Sequence, residues 1–553
     1  MKFRLLTAVA VSAVAIWLTA QPASKPLAAL TPPGALLYLE AKNLQALLTE
    51  WNSSPEKRAW LQSANYQVFT RSRLFLRLKE VYEDYTRALG VAPDMELLAS
   101  VAGAESAIAL YDIQNLEFLY LTRLSSARAI QSMLWKLRGN FSERLASGLS
   151  YYVKTQGASQ RTAAFALHGD LFFAATREQA LTAALALYSG APVPALASEP
   201  WFREALQQSG AAGDLRLVAR MERLVRTPAF RSYWIQRNVQ ALREFHTTVS
   251  DLRRQGGEFR EERLLLRSEA KKPVESAVLD ELASLISPRA TVYRAWAGPD
   301  PEEAARWIGA RLLSVRGEPS APPGLAPEFV SPSTVAGDES DLETWLDTAA
   351  AEDLPASREN GLRNLLVKNP PLALLTLYFE GPSGGGVFLG HDAAVVLRAA
   401  SPWDGESVRR TLAENLAPRL TTSGFGLNWQ EQQGVWKLDA LYPLAMQTRG
   451  PLLLIASRAE VLGNLASASR TTPLPPHTTY LAGFRLASQV DRFERMMRFI
   501  EFPGWDATSS EPPFFSANLA SLARSLQRLD TVSIQHQDHG VSLRELVYYR
   551  LSP

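Results

Sequence analysis

The chain has 553 residues, of which 46% are hydrophobic and 21% charged, and its formal net charge at pH 7 is +2. This length exceeds what one hydrophobic core supports, so we predict two or more domains. The composition is ordinary for a folded protein and argues against a disordered chain. The small net charge excludes long-range attraction to nucleic acid. The absence of cysteine excludes disulfides, cysteine-bound metals and a lipid-modified N-terminal cysteine.

The first twenty residues are typical of an export signal. Lys2 and Arg4 precede an apolar run from Leu5 to Leu18, and Leu18-Thr19-Ala20 offers a cleavage site. A run of about fourteen residues is short for a membrane-spanning helix, which needs roughly twenty. We therefore expect a periplasmic or otherwise exported protein, with an inner-membrane anchor at residues 5–18 as the alternative. The Pro- and Ala-rich residues 21–33 predict an extended tether.

Helical and strand patterns follow one another along residues 34–270. A short apolar strand is expected at Ala35 to Leu39, and a helical stretch after it ends at Gly90. Ser106 to Tyr111 and Glu117 to Thr122 predict a hairpin. Ser125 or Ser126 is expected to cap a helix over residues 129–137.

Further strands are expected at residues 151–154, 162–166 and 171–175. Thr176 then follows as the predicted cap of a helix over residues 178–187, and Ser457 as the cap of an equivalent helix. Two closing hairpins are predicted, from Thr247 to Arg267 and from Thr531 to Tyr549.

Short stretches recur in the same order along the chain. Pro33 to Tyr38, Gly169 to Arg177, Arg216 to Leu224 and Thr248 to Gly257 are matched by Pro288 to Tyr293, Gly450 to Arg458, Arg485 to Phe493 and Thr531 to Gly540. This predicts an α+β fold of two tandem pseudo-repeated halves, residues 34–270 and 288–553, each an antiparallel sheet packed with helices. Residues 271–287 would form the linker, and residues 317–360 a mobile acidic and Pro-rich excursion, helical around 342–350.

One motif resembles a hydrolase elbow. Gly381 to Gly385 reads G-x-S-x-G, with Ser383 at the nucleophile position and His391-Asp392 nearby. The motif requires a strand before the serine and a helix after it, whereas strands are expected on both sides here. A hairpin loop is therefore the favoured interpretation, and a serine hydrolase remains the least favoured function.

Metal and cofactor sites have little support. His536 and His539 form H-x-x-H on the final hairpin, with Asp538 available as a third ligand, but strand alternation would point the two histidines to opposite faces. No glycine-rich nucleotide motif is present. We predict no catalytic residue, no metal and no cofactor.

Two surfaces are candidates for contact with a partner. Basic residues outnumber acidic ones from Arg216 to Lys272, which suits an acidic envelope protein or an anionic membrane surface, although pairing with nearby glutamates is the plainer interpretation. An aromatic, Pro-rich segment follows Ile500 and suits either a partner contact or packing on the second sheet. The candidate residues are Arg220, Arg223, Arg226, Arg253, Arg254, Trp505, Phe514 and Phe515.

Residues 35–124 resemble a family of uncharacterised exported proteins of the kind found in acidobacteria. The resemblance rests on L-L-Y-L-E-A-K-N-L-Q-A-L-L-T-E-W-N-S-S, W-L-Q-S-A-N-Y-Q-V-F-T-R-S-R-L-F-L-R-L and A-G-A-E-S-A-I-A-L-Y-D-I. It covers less than a fifth of the chain, implies export, and assigns no site residue.

The sequence thus predicts a non-catalytic envelope protein that acts as a scaffold or binds a partner or the membrane surface. A periplasmic carrier of a small apolar ligand is the alternative, and an apolar cavity between sheet and helices would favour it.

Overall fold

The computed structural model describes residues 25–62, 66, 70–71, 73–155, 161–228, 230, 242–255, 258–272, 277–308, 360–380, 391–420, 429–438, 444–466, 473–485 and 529–551. Helices and antiparallel strands alternate within them, which confirms the α+β class. Two compact units result. The first contains residues 25–45 and Tyr82–Glu204, and the second contains Ala46–Val81 and the described residues from Ala205 onward. These units do not coincide with the halves expected from the sequence.

The described helices follow one another in chain order. They are α1 (Leu44–Ser53), α2 (Pro55–Gln62), α3 (Arg73–Leu89), α4 (Met95–Val101), α5 (Ser126–Ala129), α6 (Met133–Lys136), α7 (Glu178–Tyr188), α8 (Pro200–Gln208), α9 (Met221–Leu224), α10 (Ala277–Ser284), α11 (Pro301–Ile308), α12 (Asn360–Lys368), α13 (Gly405–Leu420) and α14 (Ala459–Ala466). Three short 3-10 helices occupy Leu27–Leu30, Arg138–Asn140 and Leu196–Ser198. Among these helices none is long and apolar enough to cross a bilayer.

The first unit contains an antiparallel sheet. Its described strands are β1 (Leu37–Ala41), β2 (Ser106–Asp112), β3 (Glu117–Arg123), β4 (Ser142–Ala146), β5 (Leu149–Thr155), β6 (Thr162–His168) and β7 (Leu171–Ala175). They pair in the order β1-β2-β3-β7-β6-β5-β4. The β2–β3 hairpin was predicted correctly. In its turn the Asp112 carboxylate accepts hydrogen bonds from the backbone N–H groups of Gln114 and Asn115, at 2.7 and 3.1 Å.

Aromatic side chains fill one face of this sheet. Phe165 is fully buried and lies 5.0 Å from Phe141 and 5.4 Å from Tyr152, measured between ring centroids. Edge-to-face and offset pairs of this kind add to the stabilisation that the buried area provides. On the other face Leu181 and Leu185 of α7 are completely buried, and α7 contacts β6 and β7.

The expected tether is wrong for its described part. Residues 27–30 form a 3-10 helix in which Leu27 and Leu30 are only 1% exposed. This helix contacts α7 and the 3-10 helix at Leu196–Ser198. Because burial of two leucines stabilises a fold by several kcal/mol in order of magnitude, the segment belongs to the core of the first unit.

The second unit contains a longer antiparallel sheet. Its described strands are β8 (Leu215–Ala219), β9 (Phe245–Gln255), β10 (Glu258–Arg267), β11 (Ala290–Ala297), β12 (Pro371–Glu380), β13 (His391–Ala399), β14 (Trp429–Gln432), β15 (Val435–Leu438), β16 (Leu444–Arg449), β17 (Leu452–Ala456), β18 (Thr478–Arg485), β19 (Leu529–Asp538) and β20 (Ser542–Leu551). They pair in the order β8-β9-β10-β20-β19-β18-β11-β12-β13-β17-β16-β15-β14.

Helices cover both faces of the β11–β17 part of this sheet. On one face α10 and α14 pack on Leu375 and Leu377. On the other, α11, α12 and α13 pack on Leu374, Val395 and Leu397. Strands covered on both faces read as continuous apolar runs, as in A-V-V-L of β13. The expected linker at 271–287 is therefore wrong in part, because α10 lies in it and buries Leu279 and Leu282 completely.

The predicted helix caps also need correction. Arg177 occupies the N-cap position of α7, and no side-chain hydrogen bond caps that helix. The Thr176 hydroxyl instead accepts a hydrogen bond from Phe118 N–H at 2.8 Å and donates to Leu116 O at 3.1 Å. Thr176 thus ties the end of β7 to the start of β3. A hydroxyl residue was correctly predicted to be important at this position, but its hydrogen-bond partners lie at the start of β3 and not in α7.

Ser457 makes the corresponding contacts in the second unit. Its hydroxyl accepts a hydrogen bond from Ala393 N–H and donates to Asp392 Oδ1, each at 3.1 Å.

The predicted helix over residues 129–137 divides into α5 and α6. Ser132, rather than Ser125 or Ser126, caps the second of these through Trp135 N–H.

Candidate binding surface on the second unit

Strands β9, β10, β20 and β19 form two hairpins that pair with each other through β10 and β20. Arg263 lies opposite Glu545 in that pairing, and Glu262 lies opposite Leu546. Side chains of successive residues in a strand point to opposite faces of the sheet. Glu262 and Glu545 therefore lie on opposite faces, and each is surrounded by basic side chains.

The first group, which we call the Glu262 cluster, contains Arg253, Arg260, Glu262 and Arg544. Arg544 Nη1 lies 2.9 Å from Glu262 Oε1, while Arg253 Nη1 and Arg260 Nη2 lie 3.5 and 3.7 Å from Oε2. Strand alternation accounts for this convergence, because Arg253 faces Arg260 across the β9–β10 pair and Arg544 faces Leu264 across β10–β20. Three strands thus place three guanidinium groups beside one carboxylate.

Among the described residues, the neighbouring carboxylates do not neutralise the excess charge of the Glu262 cluster. Asp251 on the same face is held by Arg216 through two hydrogen bonds, at 2.8 and 2.7 Å. Glu258 is paired with Arg550 at 2.8 Å. Three positive charges against the one negative charge of Glu262 leave the cluster with a net charge of +2.

The arginines of the Glu262 cluster are accessible, whereas its carboxylate is not. The Glu262 side chain is 14% exposed, and that of Arg260 is 47% exposed. The Arg260 guanidinium lies 5.6 Å from the ring centroid of Tyr548, which is itself 38% exposed. The negative face of an aromatic ring attracts a cation, which favours this position of the guanidinium group. The cluster therefore presents fixed positive charge to the solvent.

The opposite face carries a line of polar side chains that we call the Glu545 ladder: Tyr480, His536, Glu545, Arg263, Glu261 and Ser250. His536 Nε2 lies 3.0 Å from Glu545 Oε2, and Arg263 Nη1 donates to Glu545 Oε1 at 2.5 Å. Arg263 also donates to Glu261 through Nε and Nη2, at 2.6 and 2.8 Å. Each charge of the ladder therefore has an opposite partner.

Burial and hydrogen bonding act in opposite directions on the pKa of Glu545. Burial favours the neutral acid, but the hydrogen bond and charge of His536 and the charge of Arg263 outweigh it. The pKa of Glu545 consequently lies below its ordinary value, and the carboxylate is ionised at neutral pH. The ladder is thus a closed ion-pair network, better suited to holding β10 against β20 than to binding a charged ligand.

The arginines predicted as a partner surface are dispersed by the structure. Only Arg253 reaches the Glu262 cluster. Arg254 points to the other face, where it pairs with Glu50 and its guanidinium lies 5.3 Å from the Phe259 ring centroid. Arg220 pairs with Glu222 at 2.6 Å.

Arg223 and Arg226 are exposed, on α9 and directly after it, while the neighbouring Leu224 and Val225 are buried. The aromatic candidates Trp505, Phe514 and Phe515 lie outside the described residues. Arg260 lies in the basic run from Arg216 to Lys272 but was not among the named candidates, and Arg544 lies outside that run. The alternation of β10 offered a signal for Arg260, but no local pattern could relate Arg544 to it.

The candidate catalytic and metal residues are not assembled into a site in the described structure. Ser383 lies outside the described residues, as do residues 317–359 of the Pro-rich excursion. Asp392 is bound by Arg458 and Ser457, with Arg458 Nε donating at 2.9 Å. His536 contacts Glu545, whereas the ring of His539 lies 4.8 Å from that of His477. In the described part of the chain no three His, Asp or Glu side chains are grouped as metal ligands.

Comparisons with known proteins add little to this description. No protein-family model and no curated protein matches the chain. Among solved structures, crystal form III of TP0453 has a TM-score of 0.25 and 10% identity, covering 49% of this chain and 90% of that one. Crystal form I has a TM-score of 0.24 and 11% identity, covering 47% and 85%. Likeness at these TM-scores supports no conclusion about function.

Proposed function

We propose that this is a non-catalytic protein of the bacterial envelope that binds an anionic partner through the second unit. The Glu262 cluster carries the proposal, because its net charge of +2 is exposed and not neutralised by the carboxylates beside it. The N-terminal signal pattern supports export to the periplasm. A fixed cationic patch attracts acidic surfaces without chemical turnover.

We also propose that the two halves of the chain arose by tandem duplication. The strand order β1-β2-β3-β7-β6-β5-β4 matches β11-β12-β13-β17-β16-β15-β14 strand for strand. In both sets a hydroxyl directly after the central strand accepts a hydrogen bond from an N–H near the start of the neighbouring strand: Thr176 accepts from Phe118 and Ser457 from Ala393. The arginine that follows pairs with an acid in each case, Arg177 with Glu117 and Arg458 with Asp392.

The duplication bears on function through the Glu262 cluster. Arg253 and Arg260 come from the first half of the chain and Arg544 from the second, so the cluster requires both. A partner surface built at the β10–β20 pairing would thus exist only in the duplicated protein.

Fractionation of producing cells is the first test of this function. We expect the full-length protein in the envelope and a version lacking residues 1–30 in the cytoplasm, although the second will also lose the buried Leu27–Leu30 helix. A version lacking residues 1–20 keeps that helix and is the matched comparison. Recovery of the full-length chain from the cytoplasm would contradict the proposal.

Crosslinking and co-purification from the native envelope is the second test. We expect wild-type protein to retain an acidic protein or anionic lipid that an Arg260→Gln/Arg544→Gln variant loses. Equal recovery with both proteins would remove the Glu262 cluster from the function.

A further inference from the structure

We infer that the Glu262 cluster binds phosphate groups of anionic phospholipid headgroups at a membrane surface. The inference rests on the proposed function and specifies its ligand. A guanidinium group donates two parallel hydrogen bonds to the oxygens of a phosphodiester, and its charge persists at all physiological pH values. The net charge of +2 left by Glu262 is balanced by two such headgroups.

Glu262 itself explains how the cationic side chains stay close together. Three guanidinium groups repel one another, and a carboxylate at 2.9 to 3.7 Å from each offsets that repulsion. With its side chain 14% exposed, Glu262 lies beneath the arginines rather than among their exposed ends. The side chains of Arg260 and Arg544 are 47% and 34% exposed, so a ligand can approach them from the solvent side.

The geometry favours headgroups over a bound peptide. A peptide that binds to a sheet usually adds a strand to a free edge. Here β10 is paired with β9 and β20, and β20 with β10 and β19, so neither has a free edge. The outer edge of β9 is paired with β8 from Thr248 to Leu252. Separate phosphate groups need no free strand edge, only cations spaced across a surface.

The same geometry favours a membrane over free phosphate. The solvent-exposed parts of these arginines are where a single hydrated ion gains little, because water and salt screen the contact. A membrane supplies many phosphates in one plane, and each basic residue near it contributes separately to binding. Tyr548, 38% exposed beside Arg260, has the amphipathic ring that is enriched at membrane interfaces.

Vesicle co-sedimentation of the full-length protein tests the inference. The apolar segment Leu5 to Leu18 is common to all variants, so the measured quantity is the difference in affinity between phosphatidylglycerol-containing and pure phosphatidylcholine vesicles. We expect Arg260→Gln/Arg544→Gln to weaken binding to the anionic vesicles by roughly tenfold to thirtyfold. The reason is that each of the two arginines contributes separately to the affinity for an anionic surface. Binding to phosphatidylcholine should stay unchanged.

Two further variants separate charge at this site from charge in general. Glu262→Gln removes the central negative charge, so we expect binding to anionic vesicles to become several-fold tighter in low salt. Arg363→Gln is the matched control, because Arg363 is 51% exposed and pairs with Glu302 away from the strands of the cluster. Its affinity should equal that of wild type.

The inference is overturned if the double variant and Glu262→Gln both bind anionic vesicles as wild type does. It is also overturned if inorganic phosphate displaces the protein at concentrations too low to act by ionic strength, since free phosphate would then be the ligand. A double variant that binds vesicles normally but loses an envelope protein in crosslinking would leave the proposed function standing and refute only the lipid. If the double variant keeps both the vesicle binding and the crosslinked envelope protein, the lipid inference and the proposed function are both refuted.

Discussion

Arg267 and Asp538 lie 271 residues apart in the sequence and form an ion pair with two hydrogen bonds, at 2.6 and 2.8 Å. Arg267 is the last residue of β10 and Asp538 the last of β19, so the pair joins the two hairpins at one end of their common sheet. Arg267 also donates to Gly540 O at 3.0 Å, and its guanidinium lies 5.6 Å from the Phe245 ring centroid.

Replacement of Arg267 should strongly destabilise the second unit. Its side chain is 5% exposed and that of Asp538 17%, so Arg267→Met would leave a desolvated carboxylate without its cation. We expect the free energy of unfolding in urea to fall by about 3–5 kcal/mol. Arg550→Met is the control, because Arg550 and Glu258 are 63% and 50% exposed and such pairs contribute at most about 1 kcal/mol. Equal losses would show that the Arg267 pair has no special role.

Glu545 should make the stability of the second unit sensitive to acid. Its pKa is lower in the folded protein than in the unfolded chain. Its ionised form therefore stabilises the fold at pH values above about 4.3, the ordinary glutamate pKa, and this contribution is lost as the pH falls through the folded-state pKa. We expect urea midpoints of wild type to fall over this range and those of Glu545→Gln to fall less. Parallel pH profiles would contradict this account.

His539 should contribute a second pH dependence at higher pH. Burial lowers its pKa, and the adjacent His477 and Arg544 lower it further, although Asp538 acts in the opposite direction. A histidine with a lowered folded-state pKa stabilises the protein above about pH 6.5, the unfolded value, and this contribution is lost as the pH falls through the folded-state pKa. His539→Asn should flatten the stability profile just below pH 6.5. An unchanged slope there would assign the effect to other groups.

The Thr176 hydroxyl should protect one particular amide. Thr176→Val removes the acceptor for Phe118 N–H, and an unpaired, partly buried N–H costs about 1–3 kcal/mol. We expect hydrogen exchange at Phe118 to accelerate while the first-turn amides of α7 exchange as before. Faster exchange in α7 alone would restore the helix-cap interpretation. Ser457→Ala should act in the same way on Ala393 N–H.

Local chemistry explains which parts of the fold the sequence predicts well. The β2–β3 hairpin was predicted because Asp112 bonds to amides two and three residues ahead, and this interaction is encoded within one short segment. Gly90 was predicted to end a helix, and α3 ends at Leu89 with Gly90 at a φ of 79°, where a side chain would be strained.

Contacts between distant segments explain what could not be predicted. Nothing in the local pattern of β10 specifies that β20 lies beside it, because Arg263 and Glu545 are 282 residues apart. For this reason Arg544 was not grouped with Arg253 and Arg260. Thr176 was assigned to a helix for a similar reason, since hydroxyls after a strand have the same sequence pattern whether they bond to a helix or to a neighbouring strand.

The position of β20 between β10 and β19 has a consequence for biosynthesis. The β9–β10 hairpin leaves the ribosome more than 270 residues before β20, and until β20 arrives one edge of β10 has no strand to pair with. Unpaired strand edges promote aggregation, and long-range strand pairing is slow. The alternating charges of β10, which include Glu258, Arg260, Glu262 and Arg263, disfavour pairing of this unpaired edge with strands of other chains. Residues that later belong to the Glu262 cluster and the Glu545 ladder therefore also protect the nascent chain.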